Sequence, residues 1–341
     1  MQSIQITKPG EINIQEASIP EINAEELLIK IKYVGFCGSD LSSYQGRNPM
    51  VNYPIIPGHE VAGTIEKTGK TVPDHLSAGQ TVTVIPYTSC GECPSCRNGR
   101  SNACQFNQTL GVQRDGAMTE YIAIPWQKAL VTQNLSMKEL ALTEPLTVGF
   151  HAASRGRITA NDTVSVLGCG IIGIGAIIRS VDLGASVIAV DVDDSKLRLA
   201  EKLGAKFTIN SVNENLDQRL KELTNNNGPD VIIEAAGQSS TYLAAIESVA
   251  FTGRVVCIGY AKEDIAFATK LFVQKEIDIM GSRNANSEDF IQVMEYLAKG
   301  KLQVEDLISM VVKPEKSWEA MKIWASDPGK IFKILVEFYD D

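Results

Sequence analysis

Four cysteines, Cys90, Cys93, Cys96 and Cys104, fall within one stretch that reads C-G-E-C-P-S-C-R-N-G-R-S-N-A-C. Two-residue gaps let successive thiolates converge, and the longer last gap closes the loop around one tetrahedral ion. Four soft sulfur ligands with no open position describe a closed structural site, and zinc is the ion that such a set suits. The stretch does not stand alone. Upstream lie Cys37 and the pair His59-Glu60, and downstream comes the glycine run Gly168-Cys169-Gly170-Ile171-Ile172-Gly173.

At 341 residues the chain is too long for one ordinary core, so two domains are expected. Hydrophobic residues at 44% against 21% charged ones describe a soluble globular protein. Met1 to Gly10 has no apolar signal-peptide region, and the longest apolar run, Ile171 to Ile178, is broken by Gly173 and Gly175, far short of a membrane span. A net charge of −9 leaves no basic patch to displace counterions from phosphate, which argues against nucleic acid as a partner. Of seven cysteines, five stand in metal-like settings, so a reducing cytoplasm is expected rather than a disulfide-forming compartment. Cys169 and Cys257 read as small buried hydrophobes.

From Met1 to about Thr143 the chain is rich in β-branched residues punctuated by glycine and proline. Leu27 to Val34 alternates over its second half as a half-buried strand does, and Val61–Ile65 and Thr81–Ile85 are similar short segments. This pattern suits a small β-barrel or sandwich with long functional loops. From Thr163 strands alternate with helix-length segments. Strands are expected at 163–167, 187–190, 231–233 and 254–258, with helices at 171–183 and 196–203. Such alternation means a parallel, doubly wound sheet with right-handed crossovers. Beyond Gly281 a helix near 290–298 and a last strand near 333–338 are expected.

Gly168, Gly170 and Gly173 follow a buried strand and open a helix, the context a dinucleotide fingerprint requires. Gly168 permits the tight turn, Gly170 lets the backbone approach a pyrophosphate, and Gly173 allows close helix–strand packing. The helix N-terminus, beginning at Ile171-Ile172, offers unpaired N–H groups to the phosphates. Asp191, at the end of the next strand, is placed to bind ribose hydroxyls and to repel a 2′-phosphate, which favours NAD over NADP. Glu234-Ala235-Ala236-Gly237 and Cys257-Ile258-Gly259 close further strands, so Ala235 and Ile258 are expected near the nicotinamide half.

A catalytic zinc needs about three protein ligands and one position for water or substrate. Cys37 lies in Gly35-Phe36-Cys37-Gly38-Ser39-Asp40, and His59, one of three histidines, stands between a glycine and a carboxylate. With the cysteine lobe, the fingerprint, Glu144-Pro145-Leu146-Thr147-Val148 and Gly281-Ser282-Arg283, these motifs make the chain resemble the zinc-containing medium-chain dehydrogenase/reductases. Within them it is similar to the polyol and sugar-acid branch, with sorbitol, threonine and L-galactonate/L-gulonate dehydrogenases. The resemblance covers essentially the whole chain. It implies an α/β protein with a GroES-like β-rich catalytic domain (1–146 and 285–341, zinc lobe near 88–106) and a Rossmann NAD-binding domain (147–284). It also implies two zinc ions per chain and a homodimer or homotetramer.

Residue by residue, the resemblance makes Cys37 and His59 the fixed ligands of a catalytic zinc. Glu60 matches the glutamate ligand of polyol dehydrogenases, and Glu144 binds the metal or its water; which of the two binds directly stays open. Asp40 matches the carboxylate that orients the histidine ligand. Ser39 matches the hydroxyl that takes the substrate proton, but where other alcohol dehydrogenases continue the relay through a histidine this chain has Ser42. Arg283 matches a cofactor position. The implied reaction is hydride transfer from a secondary alcohol to NAD, giving a ketone. The polar loop Tyr44 to Pro49 suits a polyhydroxylated substrate, and Arg47, Arg114 or Arg283 would meet a carboxylate, which favours a sugar acid such as L-galactonate or L-gulonate. Two other classes compete: a zinc-ribbon binding module and a dehydrogenase-like scaffold without catalysis.

Overall fold

The computed structural model describes residues 1–340. They form two compact units, residues 1–144 with 290–340, and Pro145–Asp289. No helix of the described residues is long and apolar enough to cross a membrane.

The first unit is built on a seven-stranded sheet whose central member is the strand Glu26–Phe36. This strand is longer than the alternation suggests and buried along nearly its whole length, because Tyr121–Pro125, Glu60–Thr68 and Ile334–Glu337 all pair with it. Even Lys32, a charged residue in the alternating half of this segment, is buried. Its ammonium donates to the Tyr339 carbonyl at 2.7 Å and pairs with Glu337 at 3.2 Å. Two register slips in the pairing with Glu60–Thr68 bring Gly35 opposite Glu60, and the last strand brings Ile334 opposite Phe36. Three chain segments therefore converge at one end of the sheet: Cys37 just after a strand, Glu60 at the start of one, and Lys333 just before one.

In the second unit six parallel strands lie in the order Phe207–Asn210, Ser186–Asp191, Thr163–Leu167, Val231–Glu234, Arg254–Cys257, Asp278–Gly281. The order reverses on either side of Thr163–Leu167, and a switch point beyond the carboxyl ends of the strands is where such sheets bind ligands. Helix Ile171–Asp182 follows the fingerprint as expected. Sequence reading missed the outer strands Phe207–Asn210 and Asp278–Gly281 and the helix Met137–Arg155, which carries Pro145 inside it. That helix abuts Ile171–Asp182 through glycines. A Cβ on Gly149 would meet the Ala176 nitrogen at 2.3 Å, and one on Gly175 the Leu146 carbonyl at 2.6 Å.

The fingerprint glycines divide into different jobs. Gly168 has φ +100°, which disfavours any side chain. A Cβ on Gly173 would lie 1.8 Å from the Gly168 carbonyl, whereas one on Gly170 would meet nothing within 4 Å. Gly173→Ala should therefore destabilise the fold by about 1–3 kcal/mol or more, because a backbone oxygen in a tight turn cannot step aside. Gly170→Ala should leave the unfolding midpoint unchanged. Paired urea melts of the two variants check this, and equal midpoints would refute it.

Candidate active site and metal centres

Cys37 caps the short helix Gly38–Tyr44, and Asp40, in that helix's first turn, accepts from the Cys37 backbone N–H at 2.8 Å. The other Asp40 oxygen accepts from the Gly58 N–H at 3.2 Å, so one fully buried carboxylate ties together the segments bearing Cys37 and His59. Burial raises its pKa. This differs from the expectation that Asp40 orients the His59 ring: both its oxygens serve backbone N–H groups, and His59 Nδ1 is buried without a hydrogen-bond partner. Asp40 acts on the scaffold of the site.

Ligand atoms of Cys37, His59 and Glu60 all lie within 4.8 Å of one another. Buried polar atoms are normally paired, yet His59 Nδ1, Glu60 Oε2 and Ser39 Oγ have no hydrogen-bond partner. Burial would lower the His59 pKa, but Cys37 beside it, then Glu144 and Asp40, raise it well above its ordinary value. The surroundings thus favour a cation, and a mixed S/N/O trio in an anionic pocket fits zinc.

Two donors absent from the sequence reading grip the two glutamates. Lys333, itself buried, donates to Glu60 Oε1 at 2.5 Å and to the Phe36 carbonyl at 3.0 Å. Burial works against its charge, but Glu60 and then Cys37 more than reverse that and hold the ammonium protonated. Burial pushes the Glu60 carboxyl up to about 7 against the pull of Lys333. A Cβ on Gly35 would lie 2.0 Å from Glu60 Oε2, so the glycine opposite is what makes room for the carboxylate. Glu144, buried near the middle of the helix Met137–Arg155, accepts a hydrogen bond from the Tyr87 hydroxyl. A lysine inside the apolar run Ile331-Phe332-Lys333-Ile334-Leu335-Val336 was a legible sign of a buried cation. Tyr87, in an irregular loop, gave no sign.

In the cysteine lobe the sulfurs stand 3.5 Å (Cys93–Cys96), 3.7 Å (Cys104–Cys90), 3.8 Å (Cys93–Cys104) and 4.0 Å (Cys90–Cys96) apart. A tetrahedron of sulfurs about 2.3 Å from a zinc ion has edges of about 3.8 Å. The Cys90 and Phe106 N–H groups point at the Cys104 sulfur, at 3.4 and 3.3 Å, and the Cys93 N–H at the Cys90 sulfur, at 3.3 Å. Backbone N–H groups, that of Gln105 foremost, pull the Cys93 thiol down to about 6. The four residues fit zinc.

At the fingerprint, Gly170 caps the helix Ile171–Asp182, with Ile172 in its first turn. Asp191 Oδ2 accepts from the Cys169 N–H at 2.7 Å, and Oδ1 from the Val192 and Asp193 N–H groups at 2.8 and 3.0 Å. The residue expected to meet a ribose therefore also fastens the glycine turn, and a carboxylate's roughly four lone-pair sites leave capacity for both. The buried Glu234, which sequence reading did not assign, orders the next strand end. One of its oxygens accepts from Ala236 N–H at 3.0 Å, Gly237 N–H at 2.7 Å and the Thr241 hydroxyl at 2.7 Å. Ala235 and Ile258 are fixed beside it, donating to the Leu167 and Glu234 carbonyls. Arg283 follows the outer strand Asp278–Gly281 and is half-buried.

Of the other arginines, Arg47 is exposed, while Arg114 is half-buried with its Nε enclosed and unpartnered. Lys128 lies close enough to Arg114 for the two charges to repel, and burial lowers the pKa of both. Gln113 reaches Met50 at 3.3 Å, which joins the Arg114 loop to the polar loop after Tyr44.

Residues 23–134 match the alcohol dehydrogenase GroES-like domain, and residues 172–299 match the zinc-binding dehydrogenase family. L-Galactonate-5-dehydrogenase of Escherichia coli K12 is 34% identical over 303 residues, covering 89% of this chain and 88% of that one. Sorbitol dehydrogenase of Bacillus subtilis 168 is 34% identical over 344 residues, covering 98% and 97%. The chain belongs to the zinc-containing medium-chain alcohol dehydrogenases. A crystal structure of an alcohol dehydrogenase from E. coli CFT073, complexed with the cofactor NADH, has the same fold, with a TM-score of 0.91 at 32% identity over 99% of both chains. This dehydrogenase is an oxidoreductase of the polyol branch, and a match along the whole chain removes the zinc-ribbon module as a reading of it.

The buried pair Lys333–Glu60 gives a stability test. Lys333→Met leaves Glu60 enclosed without its counter-charge, and breaking such a pair from one side typically destabilises by about 3–5 kcal/mol. Urea unfolding should show that loss in the metal-free protein and a smaller one after zinc loading, where a second cation faces the carboxylate. An equal loss in both forms would count against the fit of zinc to this pocket.

Proposed function

We propose that this dehydrogenase oxidises a secondary hydroxyl of a sugar acid of the L-galactonate/L-gulonate kind with NAD, using two zinc ions per chain. The observation that carries the reading is the convergence of Cys37, His59 and Glu60, with a buried, unpartnered hydroxyl on Ser39 two residues after Cys37 in the chain. Cys37, His59 and Glu60 would hold a catalytic zinc, and Cys90, Cys93, Cys96 and Cys104 a structural one. Zinc bound at the first site supplies a Lewis acid that lowers the pKa of a substrate hydroxyl. A nicotinamide dinucleotide whose pyrophosphate is held at the fingerprint would supply the hydride acceptor.

The chain's own residues do the rest. Ser39 Oγ takes the hydroxyl proton, a role that its lack of any local hydrogen bond leaves open. Asp40 fixes the spacing of the Cys37 and His59 segments through the backbone N–H groups of Cys37 and Gly58. Glu144, held by Tyr87, is placed on the same pocket. Asp191, with Gly168, Gly170, Ile172 and Gly173, holds the adenosine and pyrophosphate portions, and Ala235, Ile258 and Arg283 the rest of the dinucleotide. The unpaired Arg114 and Lys128 support an anionic substituent on the substrate, as does the resemblance to an L-galactonate dehydrogenase. A neutral polyol, as for a sorbitol dehydrogenase, is the alternative. We further read the enzyme as a cytoplasmic homodimer or homotetramer, in keeping with the free cysteines among the described residues and with the family.

The test is NADH formation across a panel of sugar acids, polyols and threonine, with zinc counted on the same protein. Turnover should be highest with a sugar acid, and native mass spectrometry should find two zinc ions. One zinc ion with Cys37 freely alkylated would defeat the catalytic assignment. Ser39→Ala should lower turnover by about 10²–10⁴-fold with zinc content and NAD affinity intact, and Ser39→Thr should keep substantial activity. Near-normal turnover in the alanine variant would make Ser39 an ordinary turn residue.

Cofactor choice is tested separately. The wild type should prefer NAD to NADP, and Asp191→Ser should narrow that preference chiefly by weakening NAD binding. Because Asp191 also fastens the Cys169 N–H, the variant should lose thermal stability as well. Equal use of both cofactors by the wild type would refute the reading of this strand end.

A further inference from the structure

Two carboxylates face one cation pocket, and each is gripped by a donor from a different part of the chain. Lys333 grips Glu60 Oε1, while Tyr87 grips Glu144 Oε1. Among the described residues only Glu60 joins Cys37 and His59 in the compact ligand group. Tyr87 is 4% exposed, and its ring stands edge-on to the fully buried Phe290, centroids 6.4 Å apart. The backbone that delivers it is pinned on both sides: before it the Pro86 carbonyl accepts from the Leu110 N–H at 3.1 Å, and after it the Thr88 N–H donates to Asn107 Oδ1 at 3.1 Å. This phenol has little freedom to leave its acceptor.

We infer that Tyr87 is a positioning residue that keeps Glu144 out of the catalytic metal's ligand set, so that the set stays three-membered with one position for the substrate oxygen. The inference rests on the proposal that Cys37, His59 and Glu60 hold zinc. Its chemical reason is the difference between closed and open sites. Four protein ligands make a closed, structural centre, as in the cysteine lobe, whereas catalysis needs three and a vacancy. A second carboxylate within reach of the pocket threatens that vacancy, and a rigid neutral donor restrains it without bringing a second cation beside the metal. Lys333 cannot do this for Glu144, since it is engaged on Glu60 and the Phe36 carbonyl.

The experiment compares wild type, Tyr87→Phe and Tyr87→Phe/Glu144→Gln, all loaded with zinc. It measures the rate at which dipicolinate strips the zinc that protects Cys37 from iodoacetamide, together with kcat and KM for NAD-linked oxidation of the best panel substrate. Tyr87→Phe should slow stripping about tenfold and lower kcat about tenfold, the scale on which residues behind metal ligands act. The added Glu144→Gln change should restore the wild-type stripping rate. A phenol that merely fills space would leave stripping unchanged or make it faster, and either result in Tyr87→Phe overturns the inference, as does slowing that persists in the double variant. Wild-type protein with no zinc shielding Cys37 would instead bring down the functional proposal itself, and this inference with it.

Discussion

The buried contact between Lys333 and Glu60 is where the geometry of the first unit is decided. It joins the penultimate segment of the chain to the strand that follows His59, and its partners on the other side are the Phe36 carbonyl and the glycine that precedes it. A charge pair in such a place contributes little net stability against an apolar alternative, because desolvation offsets most of the Coulomb attraction. Its consequence is positional. One glutamate oxygen is fixed by the ammonium and the other is buried without a hydrogen-bond partner, and the carboxylate stands within 4.8 Å of the Cys37 and His59 ligand atoms.

Space for that arrangement comes from residues that have no side chain. Gly35 admits the Glu60 carboxylate, Gly173 admits the Gly168 carbonyl, and Gly149 and Gly175 let two helices touch backbone to backbone. None of these four needs a left-handed φ, unlike Gly168. They are demanded by proximity, so any Cβ, however small, would push apart the parts that the sites require to be close.

Carboxylates recur here as organisers of backbone. Asp40 binds two N–H groups that belong to different ligand segments, Asp191 binds three around the fingerprint turn, and Glu234 binds two at the neighbouring strand end. Hydrogen bonds to a charged acceptor are stronger than neutral ones, and in low dielectric they hold loops that have no regular structure of their own. Two of these residues stood out in the sequence for contacts with a histidine or a ribose. Their work on the backbone was not legible, because an N–H partner leaves no trace in side-chain identity.

Local sequence sufficed wherever chemistry is set by short spacing. The cysteine gaps fixed which sulfurs meet, the G-x-G-x-x-G run fixed a strand–turn–helix, and alternating apolar segments fixed the parallel sheet, since each depends on residues a few bonds apart. The helix Met137–Arg155 escaped because Pro145 interrupts its pattern, and the burial of Lys32 was not legible because burial on both faces of a strand comes from neighbours distant in the chain. Tertiary structure alone decided that Lys333 would meet Glu60 across 273 positions and Tyr87 would meet Glu144 across 57. Those distances are closed by sheet register and helix placement, which the whole core determines together. The sequence by itself named the atoms able to bind a metal; the fold chose which carboxylate would stand among them and which donor would hold the other.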